Sequence, residues 1–222
     1  MVKALLSLAI LLVLCSWPTV ASAQSNPVVL DPPKPQLQEI DPRPLVLKHY
    51  LQNYNSPLAD HAEYMIKVSD DLGLDWRLIP SVAAVESQFG MRIPGGTDPK
   101  YTSYNAWGWG VYGSKRLHFK SWEEGISTVA KGLKTKYVDD GLTTLNQINN
   151  RYSSNPDWWW MVEQYWYELT DYETAFMSKF GQQIADYNQN IRNHNAPKQV
   201  FQVTDLSINN SGTRLSLDGL NY

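Results

Sequence analysis

Ser81-Val82-Ala83-Ala84-Val85-Glu86-Ser87-Gln88-Phe89-Gly90 is the stretch on which the fold turns. Leu78, Val82, Val85 and Phe89 recur at steps of four, three and four, the spacing of one helical face. Glu86 does not lie opposite that stripe. Its helical neighbours are Val82 at i−4, Ala83 at i−3 and Phe89 at i+3, all uncharged. A carboxylate held on such a face loses hydration and its pKa rises. A carboxylic acid still protonated near neutral pH can give a proton to a leaving group, as glycoside cleavage requires. The competing reading is a glutamate at the edge of the core whose tip snorkels to water. Gly90 is the expected end of this helix.

The pattern on either side is mainly helical. Ser56-Pro57 is expected to open a helix with Leu58, Ala62, Met65, Ile66 and Val68 on its apolar face, and Gly73 to close it. Val46 to Tyr54 reads as a short helix or lead-in. Asp75 is expected to cap the Glu86 helix. Ser121-Trp122-Glu123-Glu124 is a capping box, with Trp122, Ile126, Val129, Leu133 and Tyr137 as the stripe behind it. Capping is the preferred role for Glu124. Asp139 and Asp140 read as a solvated helix end, and Gly141 ends the helix. Thr144 to Gln147 repeats the capping logic for a short helix through Arg151. Asn155-Pro156 opens an aromatic helix from Trp158 to Tyr167. Thr170-Asp171-Tyr172-Glu173 is expected to cap a separate last helix, with Tyr172, Phe176, Phe180, Ile184, Tyr187 and Ile191 as its stripe and Pro197 as its stop.

Residues 91 to 120 break this regularity. They are rich in Gly, Pro, Asn and Tyr and read as a long irregular lobe, with Val111-Tyr112 and Leu117-His118-Phe119 as candidate strands. Loops of that length are usually functional or disordered, and the aromatic content argues against disorder. The fold class expected is mainly α with a small irregular or β lobe, a helical bundle around a central Glu-bearing helix.

The 222-residue chain carries extensions as well. Met1-Val2-Lys3, an apolar run from Ala4 to Cys15 and the small residues Ala21-Ser22-Ala23 form a secretory signal pattern over 1–23. An uncleaved anchor is the alternative, although the apolar run is short for a bilayer, which takes about 20 residues. Export to the cell envelope, the periplasm or the medium follows. Cleavage removes Cys15, the single cysteine, and Lys3, which takes the net charge from −3 to −4. Residues 24–55 form a proline-rich linker and lead-in, 56–170 the main domain, 171–195 a C-terminal helix and 196–222 a polar tail with a possible strand at 200–203. The acidic balance gives no reason to expect a nucleic-acid partner. His49, His61, His118 and His194 have no metal-ligand spacing, and no glycine-rich phosphate loop occurs, so neither a metal nor an organic cofactor is expected. An oligomer is neither indicated nor excluded.

Tryptophan is the compositional oddity, with nine in the chain. Trp76 and Trp122 suit core packing. Trp107 and Trp109, in the glycine-rich stretch, suit sugar stacking and packing equally.

Three segments stand in order: Glu86-Ser87, then Ser103-Tyr104-Asn105-Ala106-Trp107-Gly108-Trp109-Gly110-Val111-Tyr112-Gly113 with Phe119 to Glu124, then Arg151-Tyr152-Ser153-Ser154-Asn155-Pro156. Together they resemble the lysozyme-like superfamily (α+β), and most closely the bacterial glucosaminidase family of autolysins and flagellar wall hydrolases. The likeness covers about residues 60 to 168. It implies cleavage of β-1,4 bonds in peptidoglycan, with Glu86 as general acid and Tyr152 beside it. Asn105 to Gly108 matches the family's Asn-Leu-Phe-Gly turn, with Ala106 and Trp107 in place of Leu and Phe. Asn105, Trp107, Trp109 and Tyr112 are the implied sugar contacts. The transglycosylase signature Gly-Leu-Met-Gln is absent from the turn. A second carboxylate has no clear match; Asp98 is the best candidate, against its reading as a turn residue before Pro99. A wall-binding protein of this shape without turnover is the competing class.

Overall fold

Nine of the ten residues of the helix Leu78–Ser87 are buried, and the exception is Glu86. A helix apolar on all sides must be surrounded, and the helices Trp158–Arg192 and Trp122–Leu133 pack against it. The computed structural model describes residues 38–110 and 117–193, which belong to one compact unit. In chain order its helices are α1 (Pro42–Asn53), a 3-10 turn (Ala59–His61), α2 (Ala62–Leu72), α3 (Leu78–Ser87), α4 (Trp122–Leu133) running into a π turn (Lys134–Val138), α5 (Leu145–Tyr152) and α6 (Trp158–Arg192). The fold is mainly helical, and no strand occurs among the described residues. Leu117 to Phe119, expected as a strand, is attached by one backbone bond, Phe119 N–H to Ser103 C=O at 2.9 Å. The signal segment 1–23, most of the proline-rich linker, Val111-Tyr112, Pro197 and the tail with its strand candidate lie outside the described residues.

The lead-in is part of the core. Asp41 caps α1 by accepting from the Arg43 N–H, Pro42 and Pro44 sit in the first turn, and Val46, Leu47, Tyr50 and Leu51 are buried. Two prolines counted with the linker therefore open a helix, where a missing N–H costs nothing. The helix expected from Ser56-Pro57 begins as a 3-10 turn and becomes α2 only at Ala62. Gly73 closes it at φ 62°. Asp75 accepts from the Arg77 N–H and shapes the turn ahead of α3. Thr144 and Gln147 form the full capping box of α5. Ser121 accepts from the Glu124 N–H, while the Glu124 carboxylate reaches back to the Lys120 N–H, one residue beyond the box.

Residues 158 to 192 form one helix of 35 residues, not two. At 1.5 Å per residue it is about 52 Å long. The buried positions Trp158, Val162, Tyr165, Leu169, Tyr172, Phe176 and Phe180 step by three and four across the expected break without a change of phase. Thr170 does not cap. Its hydroxyl donates back to the Trp166 carbonyl at 2.8 Å, a bond that ties a helix-interior threonine to the preceding turn. A boundary at 170 therefore cuts through a helix. The far end of α6 is clamped by Asn188, which exchanges two bonds with the Ile40 backbone at 2.7 and 3.0 Å.

Proline at 171 separates the two descriptions. At the first position of a new helix it would be tolerated; inside a continuous one it removes a backbone bond and clashes, costing about 3 kcal/mol. Asp171→Pro is expected to lose about that much in urea unfolding. A neutral result would restore the break at Thr170.

Candidate functional site

α3 ends abruptly, and that ending builds the site. Gln88, Phe89 and Gly90 all take left-handed backbone, at φ 52°, 57° and 84°. For phenylalanine this is a costly conformation. It is held because the Phe89 ring is fully buried against Tyr50, Tyr54 and Tyr165, and because the Phe89 N–H reaches the Ala83 carbonyl at 2.9 Å. Helix α3 so stops with Glu86 and Ser87 in its last turn.

Both residues address the Asn105–Gly108 turn. The buried Ser87 hydroxyl donates to the Ala106 carbonyl at 2.7 Å, and the same oxygen accepts from the Gly90 N–H at 2.8 Å. One side chain thus joins the helix, its terminator and the turn. The Glu86 carboxyl lies beside Gly108, where a Cβ would stand 2.9 Å from Oε2. Gly108 also has φ 58°, so glycine is required there by backbone and by contact. Gly108 itself is exposed, so solvent reaches the edge of the carboxyl.

The other wall comes from α5 and α6. The Trp158 indole N–H donates to Glu86 Oε1 at 2.7 Å. The Tyr152 ring stacks on Trp158 with centroids 4.6 Å apart and an interplanar angle of 23°. The Tyr152 hydroxyl donates to the Trp107 carbonyl at 2.7 Å, so its proton goes to the turn rather than to Glu86. Burial pushes the Glu86 pKa up, and the Trp158 N–H pulls part of that back by favouring the anion. Burial, and then the nearby Glu86, push the Tyr152 hydroxyl well up, so it stays neutral. With Oε1 engaged as an acceptor, the proton of the acid form sits on Oε2, the oxygen beside Gly108. The arrangement is a half-buried acid with one oxygen anchored and the other beside the exposed Gly108.

The remaining predicted residues fall elsewhere or serve the scaffold. Asn105 is buried, and its side chain knots the loop. Its Nδ2 donates to the carbonyls of Trp109 (2.8 Å) and Leu117 (3.0 Å), and its Oδ1 accepts from the Trp109 N–H at 3.0 Å. No part of it is left over for a sugar. Trp107 has 0% exposure, and its indole donates to the Ile79 carbonyl at 3.0 Å. It is a core residue, and sugar stacking on its ring is ruled out by burial. Trp109 is half-buried against Tyr137 and Tyr152, with the Lys136 ammonium over its ring. Helix α4 makes room for both tryptophans by omitting side chains. A Cβ at Gly125 would lie 3.1 Å from the Trp107 ring, and one at Gly132 would lie 2.1 Å from the Trp109 ring. Asp98 is exposed and organises a turn, its carboxylate accepting from the Lys100 N–H and its carbonyl from Tyr101 and Thr102. Its contacts are those of the turn residue, and no charged group is among the causes of the Glu86 shift. Tyr112 lies outside the described residues.

Reading the sequence missed three contributors. In the sequence Trp158 is one of a run of aromatic helix residues, Ser87 the second letter of a motif, and Gly108 the end of a turn. Only the last carried a local signal, a glycine between two tryptophans. Comparison of the chain with models of known protein families and with curated proteins finds no match.

Two outcomes follow. A carboxyl whose pKa is raised on folding holds its proton more tightly when folded, so it lowers stability as pH rises past its unfolded value. Glu86→Gln is therefore expected to raise the melting temperature at pH 7 and to make no difference at pH 3; equal shifts at both would place Glu86 in water. Trp107→Ala is expected to cost about 3–5 kcal/mol in denaturant unfolding, the range for emptying a large aromatic site; a loss under 1 kcal/mol would return the ring to the surface.

Proposed function

We propose that this protein is a peptidoglycan hydrolase that cuts β-1,4 bonds between N-acetylated aminosugars, acting as an endo-β-N-acetylglucosaminidase of the lysozyme-like superfamily. The single observation that carries this reading is the half-buried Glu86 carboxyl, with raised pKa and one oxygen held by Trp158. The order of the Glu-Ser, Asn105–Gly108 and Tyr152 segments along the chain supports it, as does their meeting around one carboxyl. Export by the 1–23 segment would bring the protein to its substrate. If that segment is retained, the enzyme works from a membrane.

In this mechanism Glu86 Oε2 gives its proton to the glycosidic oxygen as the bond breaks. Positive charge develops on the ring of the sugar left behind and must be met by an electron pair. Asp98, held in an exposed turn, is a poor source of an activated water. The substrate's own acetamido oxygen can supply the pair, and water then releases a reducing N-acetylglucosamine end. The Glu86 carboxylate, regenerated by proton loss, is the base for that water. Tyr152 and Trp158 fix the carboxyl by stacking and hydrogen bonding, so little reorganisation is needed at the moment of transfer.

The lack of a charged partner for Glu86 among the described residues favours one second reading. A lone acid also serves attack by the sugar's 6-hydroxyl, the course of a lytic transglycosylase, which leaves an anhydro end. A muramidase would leave reducing muramic ends. A protein that only binds the wall would leave none.

Incubation with purified peptidoglycan and analysis of the released ends separates these outcomes. The expected result is reducing N-acetylglucosamine ends, with Glu86→Gln slower by roughly 10²–10⁴-fold, the usual contribution of a positioned acid. Activity should fall as pH rises through the raised Glu86 value, because the acid form is the donor. Full activity of Glu86→Gln would remove the acid assignment.

A further inference from the structure

A second opening lies on the neighbouring face of α6. It is an open groove of about 330 Å³ between the start of α5 and α6, lined by Trp159, Trp166, Tyr167, Glu163, Thr143 and Asn146 among others. Residues 159, 163, 166 and 167 are one helical face, i, i+4, i+7 and i+8. That face is turned about 100° from the one on which Trp158 meets Glu86. Tyr167 is 58% exposed, and the two tryptophans and Glu163 are half-buried.

The groove is unusual in its unspent hydrogen-bonding capacity. The indole N–H groups of Trp107 and Trp158 are both bonded within the protein. Among the described residues, those of Trp159 and Trp166 have no partner, and neither do the Asn146 amide and the Glu163 carboxylate. Three aromatic faces, several donors and one strong acceptor line one groove. None of the three rings packs on another, and they are spread over about 12 Å of helix. That spacing does not form the closed box that grips a single quaternary ammonium. A proline-rich peptide would use the rings but offers few donors, which leaves Glu163 unserved. A chain of N-acetylated sugars presents flat apolar faces to the rings, and hydroxyl and acetamido N–H groups to the carboxylate, repeated along its length.

We infer that this groove is a second glycan-binding site, apart from Glu86, that takes a run of N-acetylated aminosugars. The ligand class rests on the function proposed above. The groove begins at Trp159, one residue after the partner of Glu86, so both sites share the first turn of α6. Its role is to hold the polymer while the acid site works.

The test uses the full chain carrying Glu86→Gln, with ¹⁵N-labelled indoles assigned by single Trp→Phe changes. Chitotetraose and a decaproline peptide are titrated separately. Expected are saturable shifts of the Trp159 and Trp166 indole signals with chitotetraose, and about tenfold weaker binding in Glu163→Gln. Trp166→Phe, which keeps a ring without the donor, is expected to weaken binding by a smaller factor. Shifts confined to Trp158 would overturn the groove and leave the Glu86 reading standing. Shifts confined to the groove would support it and deprive Glu86 of this substrate. No response to chitotetraose, or a groove response to decaproline alone, would overturn the inference.

Discussion

A carboxyl group in a mostly dry pocket must be either neutralised or solvated by the protein, and the hydrogen bond from Trp158 to Glu86 does part of the second. One donor offsets some of the lost hydration and leaves the remainder as a raised pKa. A second donor or a cation would lower that pKa further, toward the ordinary carboxylate range. With no donor at all, the site would carry an unpaired buried polar atom for no gain in position. The geometry therefore both raises the pKa of the group and fixes which of its oxygens is held. Much of the surrounding structure serves this one bond. α6 must deliver Trp158 at its first turn, α5 must end in time for Tyr152 to stack on that indole, and α3 must stop one residue after Glu86.

The turn over the carboxyl is tied down by bonds from several parts of the chain. Asn105 spends its whole side chain on the backbone of Trp109 and Leu117, Ser87 ties Ala106 to α3, and Tyr152 ties Trp107 to α5. Three side chains from three parts of the chain thus bond the backbone of Ala106, Trp107, Trp109 and Leu117, on both sides of Gly108. Trp107 then anchors the turn by filling the space opened at Gly125. In this light the residues expected to touch sugar and those that hold the turn exchange roles. The asparagine and the first tryptophan are the frame, and the surface they present is the backbone edge at Gly108.

The helical body was legible because its signals are local and periodic. Apolar stripes, capping residues such as Thr144 and Gln147, and a terminating glycine at 73 need nothing from the rest of the chain to be read. The failures were of two kinds. A Thr-Asp pair that would cap a free helix was overruled at 170 because the stripe of α6 continues in phase and its packing against α3 and α1 outweighs a local preference. Composition groups the prolines at 42 and 44 with a linker, although each occupies a position where helices accept proline. At the site, Glu86 was found because a charge interrupts an apolar face. Its partner Trp158 lies 72 residues on, among two adjacent tryptophans that nothing in the local pattern distinguishes. Helical phase does distinguish them once α6 is seen whole: 158 falls on the buried face and 159 and 160 do not.

That phase relation bears on how the protein would meet a polymer. Trp158, Trp159 and Trp160 are consecutive, so they point about 100° apart and cannot serve one surface. Trp158 is buried on Glu86, Trp159 is half-buried at the groove, and Trp160 is half exposed at 50%. A run of three tryptophans is costly to keep at a helix start unless each direction has a use, because exposed indoles invite association. Two of the three directions meet a feature described above, the Glu86 carboxyl and the groove, and both lie within one turn of helix. Under the proposed function, a strand bound in the groove would have to turn about 100° around the first turn of α6 to reach the Glu86 carboxyl, so the two sites would engage different stretches of one polymer.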